Sequence, residues 1–157
     1  MARENIFQDG PHLLAALLCE RVLEEKDGVK SLIRVIDRIV TRAGGVDVPE
    51  TMPPVSISLT LFLVIKAGKE GSGKHQLKVK LVHPASTQPT EMIQGVNIDK
   101  AEERGIEVKM LLNLNLKLEG LYWFEVYFDD WFMTRVPLSV LYLTQKQGKE
   151  PVPQITQ

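Results

Sequence analysis

The chain is poor in the residues that build chemistry. It has one cysteine, three histidines and two tryptophans in 157 residues. A lone cysteine, Cys19, excludes an intramolecular disulfide and fits a reducing, cytoplasmic compartment. The histidines, His12, His75 and His83, lack the close spacing of a zinc or iron site, so neither metal nor cofactor is expected. No sign of charge dominates: 19 basic residues stand against 20 acidic ones, a formal net charge of −1. That excludes a global field gathering nucleic acid or an anionic membrane. No apolar run approaches the roughly 20 residues of a membrane-spanning helix. The run Leu13–Cys19 is short for an export signal. Glu4, Asp9 and Pro11 precede it where a signal needs basic residues, and Leu18 is bulky for a cleavage site. A core strand is the expectation there. There is also no internal repeat and no G-x-S-x-G nucleophile elbow.

What is present is alternation. Val55, Ile57, Leu59, Leu61, Leu63 and Ile65 alternate with Ser56, Ser58 and Thr60, the period of two that buries one face of a strand. Phe62 and Val64 interrupt the polar row, so that end is expected to be covered on both sides. Leu77, Val79 and Leu81 alternate with Lys78 and Lys80. Residues 106–118 alternate most cleanly, with Val108, Met110, Leu112, Leu114 and Leu116 on one side and Glu107, Lys109, Asn113 and Asn115 on the other. Residues 91–99 suggest a short edge strand through Met92, Val96 and Ile98.

Residues 29–40 read two ways. Val29, Ile33, Val35 and Ile39 suit a strand, whereas Leu32, Ile33, Val35, Ile36, Ile39 and Val40 form a helical stripe that Gly44-Gly45 would cap. The β-branched bias favours strand. Lys26-Asp27-Gly28 is a turn. Residues 41–54 carry Gly44, Gly45, Pro49, Pro53 and Pro54 and are expected to be a linker.

Aromatics make up only 6% of the chain, yet Gly120–Val140 holds both tryptophans, two of the three tyrosines and three of the five phenylalanines. Two β-rich runs flank Asp129-Asp130 there, a hairpin pattern. Tyr122, Phe124, Val126 and Phe128 form the apolar side and are expected in the core. Trp123 and Tyr127 then face out. With Met133 and Arg135 on the same side they form a candidate interface of types enriched at protein contacts. The competing expectation is that another layer covers Trp123.

Other motifs fail on context. Gly68-Lys69-Glu70-Gly71-Ser72-Gly73-Lys74 has the spacing of a phosphate-binding loop, but His75 replaces the magnesium-ligating hydroxyl and a strand follows instead of a helix. No nucleotide is expected. Asp129-Asp130 offers too few oxygens for calcium, which takes roughly six to eight. Cys19 in an apolar run is expected to be an inert thiol. Lys66, Lys69, Lys74, Lys78 and Lys80 cluster, but no aromatics interleave with them as base stacking requires. They read as guards against strand-edge aggregation.

The order of elements resembles an uncharacterised family of small bacterial β-sandwich proteins, a domain of unknown function. The residues that carry the resemblance are Leu17-Leu18-Cys19, the Asp27-Gly28 turn, Pro53-Pro54 before a long strand, His75-x-Leu77-x-Val79-x-Leu81, and Gly120-x-Tyr122-x-Phe124-x-Val126 with its acidic turn and Pro137-Leu138. It covers about residues 13–143. It implies a compact sandwich of intracellular bacterial type and transfers no catalytic residues.

The expected fold is all-β: a two-sheet antiparallel sandwich, immunoglobulin-like or related, of seven to eight strands. Residues 1–12 are a lead-in, 13–143 the domain and 144–157 a flexible tail. The expected function is a non-enzymatic interaction or accessory module with a protein partner or self-association, and no nucleic acid or membrane. The alternative is a small-ligand or carbohydrate-binding sandwich.

Overall fold

A computed structural model describes residues 11–66, 72–99 and 105–146. Within them the protein is all-β, in nine strands and no helix. They are β1 (His12–Glu24), β2 (Lys30–Val35), β3 (Arg38–Gly45), β4 (Val55–Lys66), β5 (Gly73–Val82), β6 (Thr90–Ile98), β7 (Gly105–Leu116), β8 (Gly120–Phe128) and β9 (Trp131–Lys146). One sheet has the order β2-β1-β4-β7 and the other β3-β9-β8-β5-β6. No helix among the described residues is long and apolar enough to cross a membrane.

Alternation decides what each sheet buries. On β7 every second residue from Val108 to Leu116 is buried, and on β8 every second residue from Tyr122 to Phe128. The inward rows of both sheets meet in one apolar core. Phe124 and Val126 are wholly excluded from water. Such burial is the dominant favourable term in folding.

The outer row of the four-stranded sheet is also partly covered. Cys19 lies opposite Thr60, and Phe62 opposite Leu17 and Lys109. Cys19, Thr60 and Phe62 are all buried, as the interrupted polar row of β4 predicts for Phe62. The Lys30 ammonium reaches Glu24 at 2.9 Å and Glu107 on β7 at 3.4 Å. This bridge draws the end of the β1–β2 hairpin across that outer row. Its turn is the expected one: Gly28 has φ of 85°, and the Val29 N–H donates to the Asp27 carboxylate at 3.1 Å.

Four expectations change. The 29–40 segment is strand, but it belongs to two strands, β2 and β3, interrupted at Ile36 and Asp37, which brings the count to nine. The linker starts later than expected, because β3 runs through Ala43, Gly44 and Gly45. Glycine is tolerated there because β3 is a sheet edge and has only one neighbour to match. The sheets are not wholly antiparallel: β3 pairs with β9 in parallel, from Arg38 opposite Ser139 to Gly45 opposite Lys146. That pairing also extends β9 past Thr144, into the expected tail. The rest of the tail, and residues 1–10, lie outside the described residues.

Phe124→Ala should lower unfolding free energy by about 3–5 kcal/mol, because the void opens between two sheets that cannot both relax into it. Urea unfolding followed by tryptophan fluorescence measures this; a loss under about 1 kcal/mol would show that Phe124 is not a core residue.

Candidate functional site

The outer face of the five-stranded sheet carries the candidate interface. Trp123, Glu125 and Tyr127 alternate with the buried row of β8 and are half-buried. Opposite them on β9 stand Pro137, Arg135 and Phe132, and on β5 Val82, Lys80 and Lys78. The β8–β9 register shifts between Val126 and Tyr127, where Met133 is the extra residue of a β-bulge. The bulge resets the alternation of β9. Arg135 stays on the outer face as expected, but Met133 packs against the core. Phe132 takes the outward place, 51% exposed, with its ring edge-on to Tyr127 at 5.7 Å.

The aromatics and charges form one connected surface. The Arg135 guanidinium lies 5.4 Å from the centre of the Trp123 ring and bonds the Glu125 carboxylate at 2.6 and 3.0 Å. The Tyr127 hydroxyl donates to the same carboxylate at 2.9 Å. The Lys80 and Lys78 ammonium groups stand 5.3 and 5.7 Å from the Tyr127 ring centre. Cations over aromatic faces are attracted by the ring quadrupole. Each cation also has a carboxylate: Lys80 pairs with Glu91 at 3.2 Å, and Lys78 with Asp130 at 2.5 Å. The Arg135 guanidinium holds the Glu125 carboxyl below its ordinary range, with a second contribution from the Tyr127 hydroxyl. The Glu125 carboxylate in turn pushes the Tyr127 phenol up.

Lys78 and Lys80 are therefore not edge guards. They sit on β5, which has neighbours on both sides. Nor do they lack aromatics, because Tyr127 arrives beside them from β8. Local sequence around the lysines holds no sign of a partner contributed some 50 residues later.

The acidic turn is built to aim this surface. Asp129 and Asp130 both have positive φ, 46° and 66°, as a two-residue type I′ turn requires. Non-glycine residues adopt that conformation at a cost, and their side chains offset it. Asp129 accepts the Gln76 N–H at 2.8 Å and contacts His75 Nδ1 at 2.5 Å. These bonds clamp the β8–β9 hairpin to β5, and the turn carboxylates are used as structure.

The other sequence candidates are placed as follows. Gly68–Gly71 of the phosphate-loop spacing lies outside the described residues. Gly73 and Lys74 open strand β5, so no helix N-terminus follows the glycines. Cys19 is fully buried, and desolvation pushes its thiol up. Among the described residues no group of three or more metal-ligating side chains converges.

Sequence reading missed one further feature. A cavity of about 210 Å³ opens at one end of the β7–β8 turn, between Leu81, His83, Thr90, Leu116 and Tyr122. His83 is buried there against the Tyr122 ring, 4.4 Å between centres. The Ala85 N–H donates to Nδ1 at 3.1 Å, so Nε2 carries the proton toward the Glu119 carbonyl at 3.1 Å. Both ring nitrogens are thus spent on backbone. The Tyr122 hydroxyl donates to the Leu118 carbonyl at 2.8 Å and accepts the Leu118 N–H at 3.3 Å. Gly120 between them has φ of 124°, and a Cβ there would lie 2.8 Å from His83 Nε2. His83, Gly120 and Tyr122 hold the turn; nothing among them is available as a base.

A family model described as a family of unknown function, DUF6941, matches residues 14–141. That range agrees with the resemblance to an uncharacterised domain family over about 13–143. No curated protein matches the chain.

The lowered Glu125 carboxyl makes part of the stability acid-labile. Its folded value lies below the ordinary 4.5, so its contribution is present above pH 4.5 and is lost as pH falls through the folded value. Urea midpoints measured from pH 7 down to pH 3 should fall less steeply below pH 4.5 in Glu125→Gln than in the wild type. Parallel curves would show that the Glu125–Arg135 pair contributes nothing.

Proposed function

The chain belongs to that family of unknown function, and from its own geometry we propose a non-enzymatic protein-interaction module that docks through the outer face of its five-stranded sheet. The observation that carries this reading is the connected row of Trp123, Arg135, Glu125, Tyr127 and Phe132. Tryptophan, tyrosine and arginine are the residues that dominate measured binding energies at protein interfaces. Here they lie on a sheet face that the core does not use. Their hydrogen bonds and ring contacts hold them in place before binding, which reduces the ordering cost that docking side chains usually incur.

Charge balance favours a protein partner over a phosphate polymer. Arg135, Lys80 and Lys78 are each matched by a carboxylate, so few counterions would be released on contact with nucleic acid. The partner that fits is a polypeptide surface with charges of both signs around an apolar centre.

The finer fold in this reading is a two-layer, immunoglobulin-like β-sandwich. The Tyr122 hydroxyl bonded back to Leu118 supports it, because that contact has the form of the tyrosine corner of such sandwiches. The same reading includes a cytoplasmic location, which a single buried cysteine fits.

Trp123→Ser combined with Tyr127→Ser tests the proposal. With wild type and variant as parallel baits, a protein enriched by the wild type should fall at least about thirtyfold in affinity with the variant, the loss of a hot spot of roughly 2 kcal/mol or more. The variant should still unfold cooperatively. Identical captured sets, or collapse of the variant's fold, would overturn the assignment. Binding to a glycan array that the variant loses would establish the carbohydrate alternative instead.

A further inference from the structure

Among the described residues strand β7 pairs on one side only, with β4, and its other side closes the four-stranded sheet. Its pairing runs from Gly105 to Leu116 without a register shift. Between Ile106 and Leu116 it has no proline, no glycine and no bulge. The three other edges of the two sheets are shorter, and two of them carry devices against pairing. β2 is six residues long, with Arg34 at φ of 51°. β3 carries Arg38 and Arg42 and ends in Gly44-Gly45. β6 is nine residues long, with Gly95 near its middle in an unbroken ladder with β5. Short strands, irregular backbone and charge are the usual devices against pairing. On β7 only Glu107 and Lys109 are charged, and with opposite signs. Leu111, between the charged and amide residues of the outer row, is 67% exposed.

We propose that the free edge of β7 is where two copies of this chain associate, β7 against β7, antiparallel about a two-fold axis. An antiparallel pair places side chains of the same sheet face opposite one another, so the buried row must meet the buried row. An axis through Leu112 satisfies this. It sets Val108 opposite Leu116, Met110 opposite Leu114, and Leu112 opposite its own copy. On the outer row it sets Glu107 opposite Lys117, Lys109 opposite Asn115 and Leu111 opposite Asn113. The two exposed Leu111 side chains become diagonal neighbours.

Neighbouring registers that keep the faces matched are poorer. An axis through Leu111 leaves Glu107 opposite Asn115 and no charge pair. An axis through Asn113 sets Lys109 against Lys117, like charges directly opposed. The Leu112 axis alone among these three makes opposite-charge pairs, and makes them twice by symmetry. It also gives each copy's unpaired backbone groups partners and joins the two four-stranded sheets into one. The aromatic face of each five-stranded sheet stays clear of the contact.

Light scattering of the full chain after size exclusion tests this. The expected mass is twice 17.7 kDa. The decisive variants are Glu107→Lys and Lys117→Glu. Each alone opposes like charges at both symmetric pairs and should weaken dimerisation by about tenfold or more. Mixing the two variants restores both opposite-charge pairs and should restore the dimer. Lys30 keeps Glu24 in Glu107→Lys, and far-UV circular dichroism checks that each variant remains folded. A wild type that stays monomeric up to about 100 μM, well above the Kd of a micromolar dimer, overturns the proposal. So does a dimer insensitive to both variants, or a mixture that fails to recover.

Discussion

Every functional statement about this protein depends on one packing constraint: β7 and β8 each turn a single row of side chains into one shared interior. The row Tyr122, Phe124, Val126 and Phe128 and the row Val108 to Leu116 are turned toward a common interior. Because strand side chains alternate strictly, the choice of inward residues is also the choice of outward ones. Trp123, Glu125 and Tyr127 share a face because their neighbours in sequence are buried. The same parity restricts which registers of β7 against β7 let the two sheets continue one another. A one-residue shift would set the inward row of one copy beside the outward row of the other.

Alternation also explains which parts of the fold are legible in the sequence. β5, β7 and β8 are legible because each buries one side, and β4 because its first half does; burial of one side writes itself as a period of two. The Asp27-Gly28 and Asp129-Asp130 turns are legible because the backbone they need restricts residue choice. The parallel contact of β3 with β9 leaves no such trace. Its partners are far apart in the chain, and Gly44 and Gly45 suggest a break where an edge strand simply tolerates them. Met133 shows the same limit on a smaller scale. A bulge changes parity without changing composition, so the exchange of Met133 for Phe132 on the outer face is decided by pairing with β8.

The candidate site was half visible for a related reason. Trp123, Tyr127 and Arg135 stand out by residue type and position. Their ties to Lys78, Lys80 and Glu125 depend on β5 lying beside β8, and that is a matter of topology. Once assembled, the surface has little loose charge. Its carboxylates neutralise its cations at short range, so salt should screen the field outside it more than the pairs within it. Its rings and ion pairs brace each other across three strands. His83 and Asp129, which by type alone invite catalytic readings, are bound into turns instead.

The parallel β3–β9 ladder has a consequence for how the protein is made. Arg38 and its partner Ser139 are separated by roughly a hundred residues. At about 5–20 residues per second, the ribosome delivers the second strand some 5–20 seconds after the first. Through that interval β3 has no ladder to join, and Ile39, which ends against the core, has no interior to enter. Translation therefore sets the earliest moment at which the five-stranded sheet can close, and the nascent chain carries an open strand until then.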